Sequence, residues 1–352
     1  MKALLRRASG SIRARAWILA ALVPLLLAAC GSNTSQGAQN LTNVSLALDY
    51  TPNTNHTGIY VAQQKGWYQQ QGLNLSILPY SSTAAPEALV ASGKADFAIS
   101  YEESVTTARV SGQDLVSIAA IIQHNTSGLA VRADSGITSP AQLAGKVYGS
   151  FGDPFEPYVI SSVINCDGGH VTPEQMKKTS PVISDDGLAS LQTKKIDYVW
   201  IYFGWEGIEF QRAGLKFNYF PISNYCVPDY YTPVLITSGA FIKNHPDLVR
   251  KFMAATSQGY NYAIAHPDDA ANILINAVPP GTFDDTGLVT QSQEYLSKQY
   301  ALGAPKWGYQ TLQKWHDFPH FLFQTGNLAD ANGNIVTTEP DENQFFTNEF
   351  LP

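Results

Sequence analysis

The sequence predicts an α/β protein with two similar lobes and a cleft between them. Short apolar segments alternate with helix-like ones, as in Asn74 to Tyr80, Pro86 to Ser92 and Asp96 to Ser100. Such alternation favours, in each lobe, a mostly parallel sheet flanked by helices. The chain is expected to cross between lobes near Thr126 to Val131 and again near Thr232 to Ser238. Because ligands of such sheets bind at the carboxyl ends of strands, we expect a ligand in the cleft.

The first lobe begins with the apolar run Val44 to Leu48, which is typical of a short strand. Ile59 to Gln71 has helical character, and Gly72 follows where a C-terminal cap belongs. Tyr101 to Val110 is predicted as a helix and Leu115 to Ile122 as an apolar strand.

The second lobe is predicted from similar signals. Ser139 places a capping hydroxyl before Pro140, which suits a helix start, and Lys146 to Phe151 follows as a strand. Ile196 to Tyr202 is a further apolar strand.

The last third of the chain is mainly helical. It opens with the extended segment Pro233 to Ser238, and His245 and His266 each precede a Pro-Asp pair that suits a helix start. Two tryptophans in this region are expected to be packing residues, Trp307 and Trp315.

The first 29 residues have the features of a secretory signal. Five basic residues and no acidic one precede an apolar run of thirteen residues, which is too short to span a bilayer. Leu27 to Cys30 has small residues before a cysteine and resembles a bacterial lipobox. We therefore expect lipid modification of Cys30 and an extracytoplasmic protein attached to the membrane through that lipid alone.

The predicted organisation has five segments. They are a lipoprotein signal peptide (1–29), a flexible tether (30–43), the first part of lobe 1 (44–130), lobe 2 (131–232), and the return to lobe 1 with the C-terminal helices (233–352).

Charge and cysteine content narrow the possible partners. Loss of the signal changes the formal net charge from −7 to about −12, which disfavours nucleic acid and anionic lipid surfaces as partners. Cys166 and Cys226 remain in the exported part. They are able to form a disulfide there, but the sequence leaves open whether they meet.

The loop Asp49 to Gly58 is the first candidate binding element. Pro52 fixes one φ angle, Asn53 and Asn55 favour turns and caps, and Gly58 leaves room for close approach. The following helix presents unpaired N–H groups, so the loop offers a place for a small polar ligand. The alternative is a well-capped loop without a ligand.

Aromatic and acidic residues gather at two later strand ends. Phe151 lies in the glycine-bearing loop from Gly149 to Glu156, and Tyr202 ends a strand that leads directly into Trp205 and Glu206. For Trp205 the alternative is an ordinary core ring, and for Asp49 it is a cap on the following loop.

Several stretches resemble the thiamine-precursor-binding (NMT1/THI5-like, SsuA-like) family of ABC-importer solute-binding proteins. They are Asp49 to Gly58, Gly93 to Tyr101, Ala120 to Gly128 and, more generically, Ala141 to Lys146. The resemblance implies a two-lobed periplasmic-binding-protein fold of type II. It also implies an aminopyrimidine held between the lobes and handed to a permease with its ATPase.

The same stretches are similar to the pyrimidine synthase of eukaryotic thiamine biosynthesis, but two differences matter. Members that bind the precursor commonly have Asp-Trp where this chain has Asp49 and Tyr50. The synthase has a cysteine-rich run where this chain has Cys226 to Tyr231. A lipid-anchored synthase would also be far from cytosolic pyridoxal phosphate. We therefore expect a binding protein rather than an enzyme, with no catalytic residue and no cofactor.

A binding site for an aminopyrimidine requires aromatic rings that stack on the ligand and hydrogen-bond acceptors for its amino group. The rings of Tyr50, Tyr202 and Trp205 are candidates for the faces, and the carboxylates of Asp49 and Glu206 for acceptors of the amino group. Further candidates for ligand contacts are Asn53, Asn55, His56, Tyr101 and Phe151. His56 has the chemistry of an acid–base group, but no nucleophile motif accompanies it.

Other ligands and sites stay open as alternatives. Riboflavin is the main rival, because related binders accept larger vitamin rings, whereas a sulfonate or taurine binder needs cationic residues that the strand-end loops lack. His316 and His320 have metal-like spacing, but we expect Pro319 to interrupt their helix and find no acidic partner nearby, so no metal site is predicted. The protein is expected to act as a monomer.

Overall fold

The computed structural model describes residues 40–81, 83–185 and 187–352. The predicted signal peptide, Cys30 and the tether as far as residue 39 lie outside the described residues. Within the described part, no helix combines the length and the apolar character needed to cross a membrane.

The first sheet has five strands in the order β2-β1-β3-β9-β4. Strand β9 is antiparallel to both of its neighbours, and the other pairs are parallel. The strands are β1 (Thr42–Ala47), β2 (Leu73–Leu78), β3 (Phe97–Ser100), β4 (Leu115–Ala120) and β9 (Val234–Ser238).

The second sheet has four strands in the order β6-β7-β5-β8. Strand β5 is antiparallel to β7 and β8, whereas β6 and β7 are parallel. The strands are β5 (Ser127–Arg132), β6 (Tyr148–Gly149), β7 (Tyr198–Tyr202) and β8 (Phe217–Pro221). Two separate sheets, each with one antiparallel strand, confirm the predicted two-lobed α/β architecture.

Helices cover the faces of both sheets, and apolar clusters lie on each side of each sheet. The α-helices are α1 (Thr57–Gln64), α2 (Trp67–Gln70), α3 (Pro86–Ala91), α4 (Glu102–Val110), α5 (Glu156–Cys166), α6 (Pro173–Lys178), α7 (Leu188–Gln192), α8 (Ile208–Arg212), α9 (Gly239–Asn244), α10 (Pro246–Ala265), α11 (Pro267–Ala277), α12 (Thr286–Ser297) and α13 (Leu312–Gln324).

Two predicted elements are shorter than expected. The helix predicted for Ile59 to Gln71 is divided into α1 and α2, because Gly66 adopts a φ of 71°, which a continuing right-handed helix does not allow. The strand predicted for Lys146 to Phe151 is reduced to β6. Beyond it, Ser150 forms only an isolated parallel bridge with Val182, and the adjacent Pro181 has no N–H with which to extend a regular ladder.

The expectation that Pro319 interrupts its helix is wrong. Helix α13 continues through it, and its neighbours pack into both lobes: Trp315 in the core of the first and Phe318 in that of the second. The ring of Phe318 stacks on Tyr230 at 3.7 Å between centroids. This packing offsets the roughly 3 kcal/mol that an internal proline costs.

An acidic partner does lie beside the two histidines of α13. His320 hydrogen-bonds to Glu339 through Nδ1, and one ligand atom from each of His316, His320 and Glu339 lies within 4.8 Å of the others. Neither the helix interruption nor the lack of an acidic partner, which were the two reasons for excluding a metal, is therefore found. The absence of a metal stays a prediction.

The remaining packing predictions are confirmed. Trp307 and Trp315 are 1% and 0% exposed. Cys166 at the end of α5 is bonded to Cys226, with 5.9 Å between their Cα atoms, which settles the question left open by the sequence.

Charged groups join the segments that cross between the lobes. The carboxylate of Asp229, ahead of β9, accepts hydrogen bonds from the Lys314 ammonium at 2.5 Å and from the backbone N–H of Asn125 at 2.8 Å, and His124 Nδ1 lies 2.6 Å from it. One carboxylate thus connects both crossings to α13.

Candidate ligand-binding cleft

A cavity of about 380 Å³ lies where the carboxyl ends of strands from both sheets meet. Nine residues that the sequence singled out contribute to its wall: Asp49, Tyr50, Asn53, Asn55, Tyr101, Phe151, Tyr202, Trp205 and Glu206. Eight further wall residues were missed as individual candidates: Tyr80, Glu103, Ser104, Asp153, Phe155, Glu156, Trp200 and Pro233.

The loop after β1 is capped in the way its asparagines predict. Asn53 Oδ1 accepts the N–H of Asn55 at 2.9 Å, and Asn53 Nδ2 donates to the carbonyl of Thr51 at 3.1 Å. These bonds begin a short 3-10 turn at Thr54–His56. Asn53 thus caps this turn and also lies in the cavity wall.

Helix α10 and the region after α12 hold this loop from behind. The hydroxyl of Tyr260 donates to the carbonyl of Asn55, and that of Tyr300 to the carbonyl of Thr54, each at 2.6 Å. A Cβ at Gly58 would lie 2.4 Å from the ring of Tyr260. The absence of a side chain at Gly58 therefore allows α1 to pack closely on α10.

His56 is not part of the cavity wall, which corrects its predicted contact with ligand. It is fully buried behind the wall, where Nδ1 accepts the N–H of Asn53 at 3.2 Å. The ring proton therefore sits on Nε2, which donates to Asp49 Oδ1 at 2.7 Å. His56 is a positioning residue that sets the orientation of the Asp49 carboxylate.

Asp49 is ionised despite being 8% exposed. Burial works against its charge, but hydrogen bonds from His56 and from the Tyr101 hydroxyl outweigh this and keep the pKa of Asp49 below its ordinary value. The cleft thus contains a fixed carboxylate of known orientation next to an aromatic hydroxyl.

Aromatic side chains supply the apolar part of the wall. Tyr50 and Phe151 are 41% and 45% exposed, and the Tyr50 ring lies 5.5 Å from that of Tyr80 at an angle of 53°. Exposed rings on facing lobes are suited to hold a flat ligand between them.

Trp205 and Glu206 belong to a π-helical turn, Phe203–Gly207, between β7 and α8. Such turns recur at functional sites because they redirect side chains. Glu206 Oε2 accepts the N–H of Tyr202 at 3.0 Å, which orients the carboxylate. Trp205 is half-buried: it lines the cavity and also packs against an apolar cluster, with its ring 6.1 Å from that of Phe283.

Three of the missed residues are carboxylic acids. Glu103 is 1% exposed, and burial, followed by the charges of Asp153 and Glu87, raises the pKa of Glu103 to about 8. Burial raises the pKa of Glu156 to about 7 even though Ser150 Oγ donates to it at 2.5 Å. Glu103 lies two residues beyond Gly93 to Tyr101, a stretch that resembles the family. An acidic residue at a predicted helix start was the sequence signal that could have identified it.

The charged groups among the described residues of the cavity wall are all acidic. Its five carboxyl groups are not matched by any lysine, arginine or histidine among the described lining residues. An anionic ligand would therefore enter against repulsion, whereas amino groups and cations find acceptors.

Solved structures place the fold among the two-lobed periplasmic binding proteins. The alkanesulfonate-binding protein SsuA of Xanthomonas axonopodis pv. citri has a TM-score of 0.61 at 12% identity and covers 82% of this chain and 95% of its own. The nitrate-binding protein NrtA of Synechocystis PCC 6803 has a TM-score of 0.62 at 11% identity, covering 88% and 87%. At such identities the likeness concerns the fold.

Relatives by sequence identify the family. The formylaminopyrimidine-binding protein of Halalkalibacterium halodurans is 30% identical over 72% of this chain and 76% of its own. The riboflavin-binding protein RibY of Chloroflexus aurantiacus is 24% identical over 97% and 99%. A yeast 4-amino-5-hydroxymethyl-2-methylpyrimidine phosphate synthase, THI11 of Saccharomyces cerevisiae, is 26% identical over 67% and 71%. Residues 53–270 match the NMT1/THI5 like family model, and the chain belongs to that family, as predicted.

Proposed function

We propose that this protein is an extracytoplasmic solute-binding protein of an ABC importer that captures a thiamine pyrimidine precursor, of the hydroxymethyl or formylamino type. The observation that carries the proposal is the cleft itself, in which exposed rings and oriented carboxylates converge from two lobes. The relative with 30% identity binds formylaminopyrimidine, which has the ring and amino group that such a wall accommodates.

The chemistry of the wall matches that of an aminopyrimidine. The Asp49 and Glu206 carboxylates accept from an exocyclic amine, each bond contributing about 1.5–3 kcal/mol. Asn55 Oδ1 is a buried acceptor without a partner among the described residues. Tyr50, Tyr202 and Trp205 offer ring faces, each worth about 0.5–1.5 kcal/mol beyond area burial.

Riboflavin is the second candidate, because the riboflavin-binding relative matches nearly the full length of this chain. The cavity of about 380 Å³ is at the small end of ligand pockets, which favours the single ring. Sulfonate and nitrate, which the structural neighbours bind, require cations that this wall lacks.

The cysteines support binding without chemical conversion. Cys226, in the segment where the synthase has its cysteine-rich run, is bonded to Cys166 and is not a free thiol. We infer that the protein is not an enzyme and delivers its ligand unchanged to a permease and ATPase. The proposal includes lipid attachment at Cys30, action as a monomer, and no cofactor.

Calorimetry on the purified full chain tests the function. Hydroxymethylaminopyrimidine, formylaminopyrimidine and riboflavin are titrated separately, with mass spectrometry of any copurified molecule. We expect micromolar or tighter binding of at least one pyrimidine and weaker binding of riboflavin. Tight riboflavin binding without pyrimidine binding contradicts the assignment. Stoichiometric pyrimidine formation with pyridoxal phosphate and iron would contradict the absence of catalysis.

A further inference from the structure

One buried carboxyl in the first lobe has an oxygen without a partner. Glu103 is the second residue of α4 and lines the cavity, yet it is 1% exposed, and its Oε2 makes no hydrogen bond within the described chain. A buried acceptor left unpaired costs about 1–3 kcal/mol. Such an atom in a cavity wall points to a ligand group that satisfies it.

Two carboxyl groups face Glu103 from the second lobe. Asp153 and Glu156 belong to the loop after β6 and the start of α5, and both line the same cavity. The charge of Asp153 disfavours ionisation of Glu103 across the cleft and of Glu156 within its own lobe. Without a ligand, like charge on Asp153 and Glu103 opposes approach of the two lobes.

No cation among the described residues of the wall balances these groups. The ionisable residues with a main charge interaction with Glu103 are Glu87, Glu102, Asp153, Tyr101, Tyr202 and Tyr230. All of them are neutral or negative. Lys314 acts on Glu102 but is held by Asp229, outside the cavity wall. A cationic ligand group would supply the compensating charge that the described wall does not provide.

We propose that Glu103, Asp153 and Glu156 form a cation subsite, and that the preferred ligand is a heteroaromatic ring bearing a protonated amine. This inference rests on the proposed function for the heteroaromatic ring of the ligand, and it adds a positive charge on a substituent of that ring. The ligand ammonium bonds to Oε2 of Glu103 and lies between the lobes. The ammonium attracts the carboxylates of both lobes, so binding of the cation favours closure of the lobes.

Three probes that differ in one substituent test the subsite. They are 4-amino-2-methylpyrimidines with an aminomethyl, a hydroxymethyl or a formamidomethyl group at position 5, and only the first is cationic at pH 8. In calorimetry with the full chain, we expect the aminomethyl compound to bind about tenfold or more tightly than the hydroxymethyl compound.

Glu103→Gln keeps the size of the side chain and removes its charge. We expect the aminomethyl preference to fall to about twofold or less, while affinity for the hydroxymethyl compound changes by about threefold or less. Glu294→Gln, a surface carboxyl paired with Lys298, is the matched control and keeps the preference. Circular dichroism checks the fold. If Glu103→Gln does not fold, Asp153→Asn in the loop replaces it, with an expected loss of about threefold or more in the preference.

The outcomes separate the two proposals. Equal affinities for all three probes in the native chain, or an unchanged preference in the folded variant, overturn the cation subsite and leave the pyrimidine function standing. Failure of all three probes to bind overturns both proposals.

Discussion

His56 Nε2 lies 2.7 Å from Asp49 Oδ1, and the imidazole is fully buried while the carboxylate lines the cleft. The histidine thereby determines which way the carboxylate points. Its other nitrogen accepts the Asn53 amide, so one ring connects the backbone of the loop to a wall group.

His56→Ala should weaken aminopyrimidine binding about tenfold, since the carboxylate loses its orienting donor and part of its charge stabilisation. Calorimetry on a pyrimidine probe measures the effect. His170→Ala on the exposed surface is the control. Unchanged affinity in a folded His56 variant would show that the pair does not orient a ligand contact.

Glu103→Gln should alter how stability depends on pH. The folded-state pKa of Glu103 is raised from 4.5 to about 8, so its contribution is fully present below pH 4.5 and is lost as pH rises towards 8. The ligand-free variant should therefore be more stable than the native chain at pH 8.5, by at most about 5 kcal/mol, and equally stable at pH 4. Urea unfolding at the two pH values measures this. A constant difference between the two proteins would contradict the raised pKa.

Trp205→Ala should lower affinity by about 1–3 kcal/mol while costing less stability than a core tryptophan, because the ring is half-buried in the wall. Trp315→Ala is the matched comparison. That ring is 0% exposed, and its loss should cost about 3–5 kcal/mol of unfolding free energy. Measuring both quantities on both variants distinguishes the roles. Severe destabilisation with intact affinity would assign Trp205 to the core.

Glu206→Gln should weaken an aminopyrimidine about tenfold and riboflavin less, because only the pyrimidine presents an exocyclic amine to this carboxylate. The amide retains an acceptor for the Tyr202 N–H, so the turn is preserved. Titration with both ligands provides an internal control. Equal affinities in variant and native protein would remove Glu206 from the site.

Replacing Cys166 and Cys226 together by serine should lower stability by about 4 kcal/mol, the chain-entropy value for their separation of 60 residues. Affinity should change little, because neither residue is among those that line the cavity. Urea unfolding measures the change in stability, and calorimetry measures the change in affinity. A strong loss of affinity in a folded variant would connect the disulfide to the cleft.

Local signals were sufficient for the fold class and for about half of the wall residues. Strand–helix alternation marked where strands end, and Asp49, Phe151 and Tyr202 were selected at or just after such ends, whereas Tyr101 closes a stretch that resembles the family. Every one of them lines the cavity. Position along a strand is a property of the sequence, so it was predictable.

Only the tertiary structure decided how distant groups combine. The pKa of Glu103 is raised by burial, which no local pattern encodes, and by the charge of Asp153, fifty residues away on the other lobe. The place of His56 behind the wall depends on α10 and on Tyr260. Helix α13 tolerates Pro319 because the proline's neighbours pack into two cores. The sequence by itself thus determined the elements and the loops that carry the site. Burial, charge coupling and long-range packing depend on which segments meet in space, so they were decided only when the chain folded.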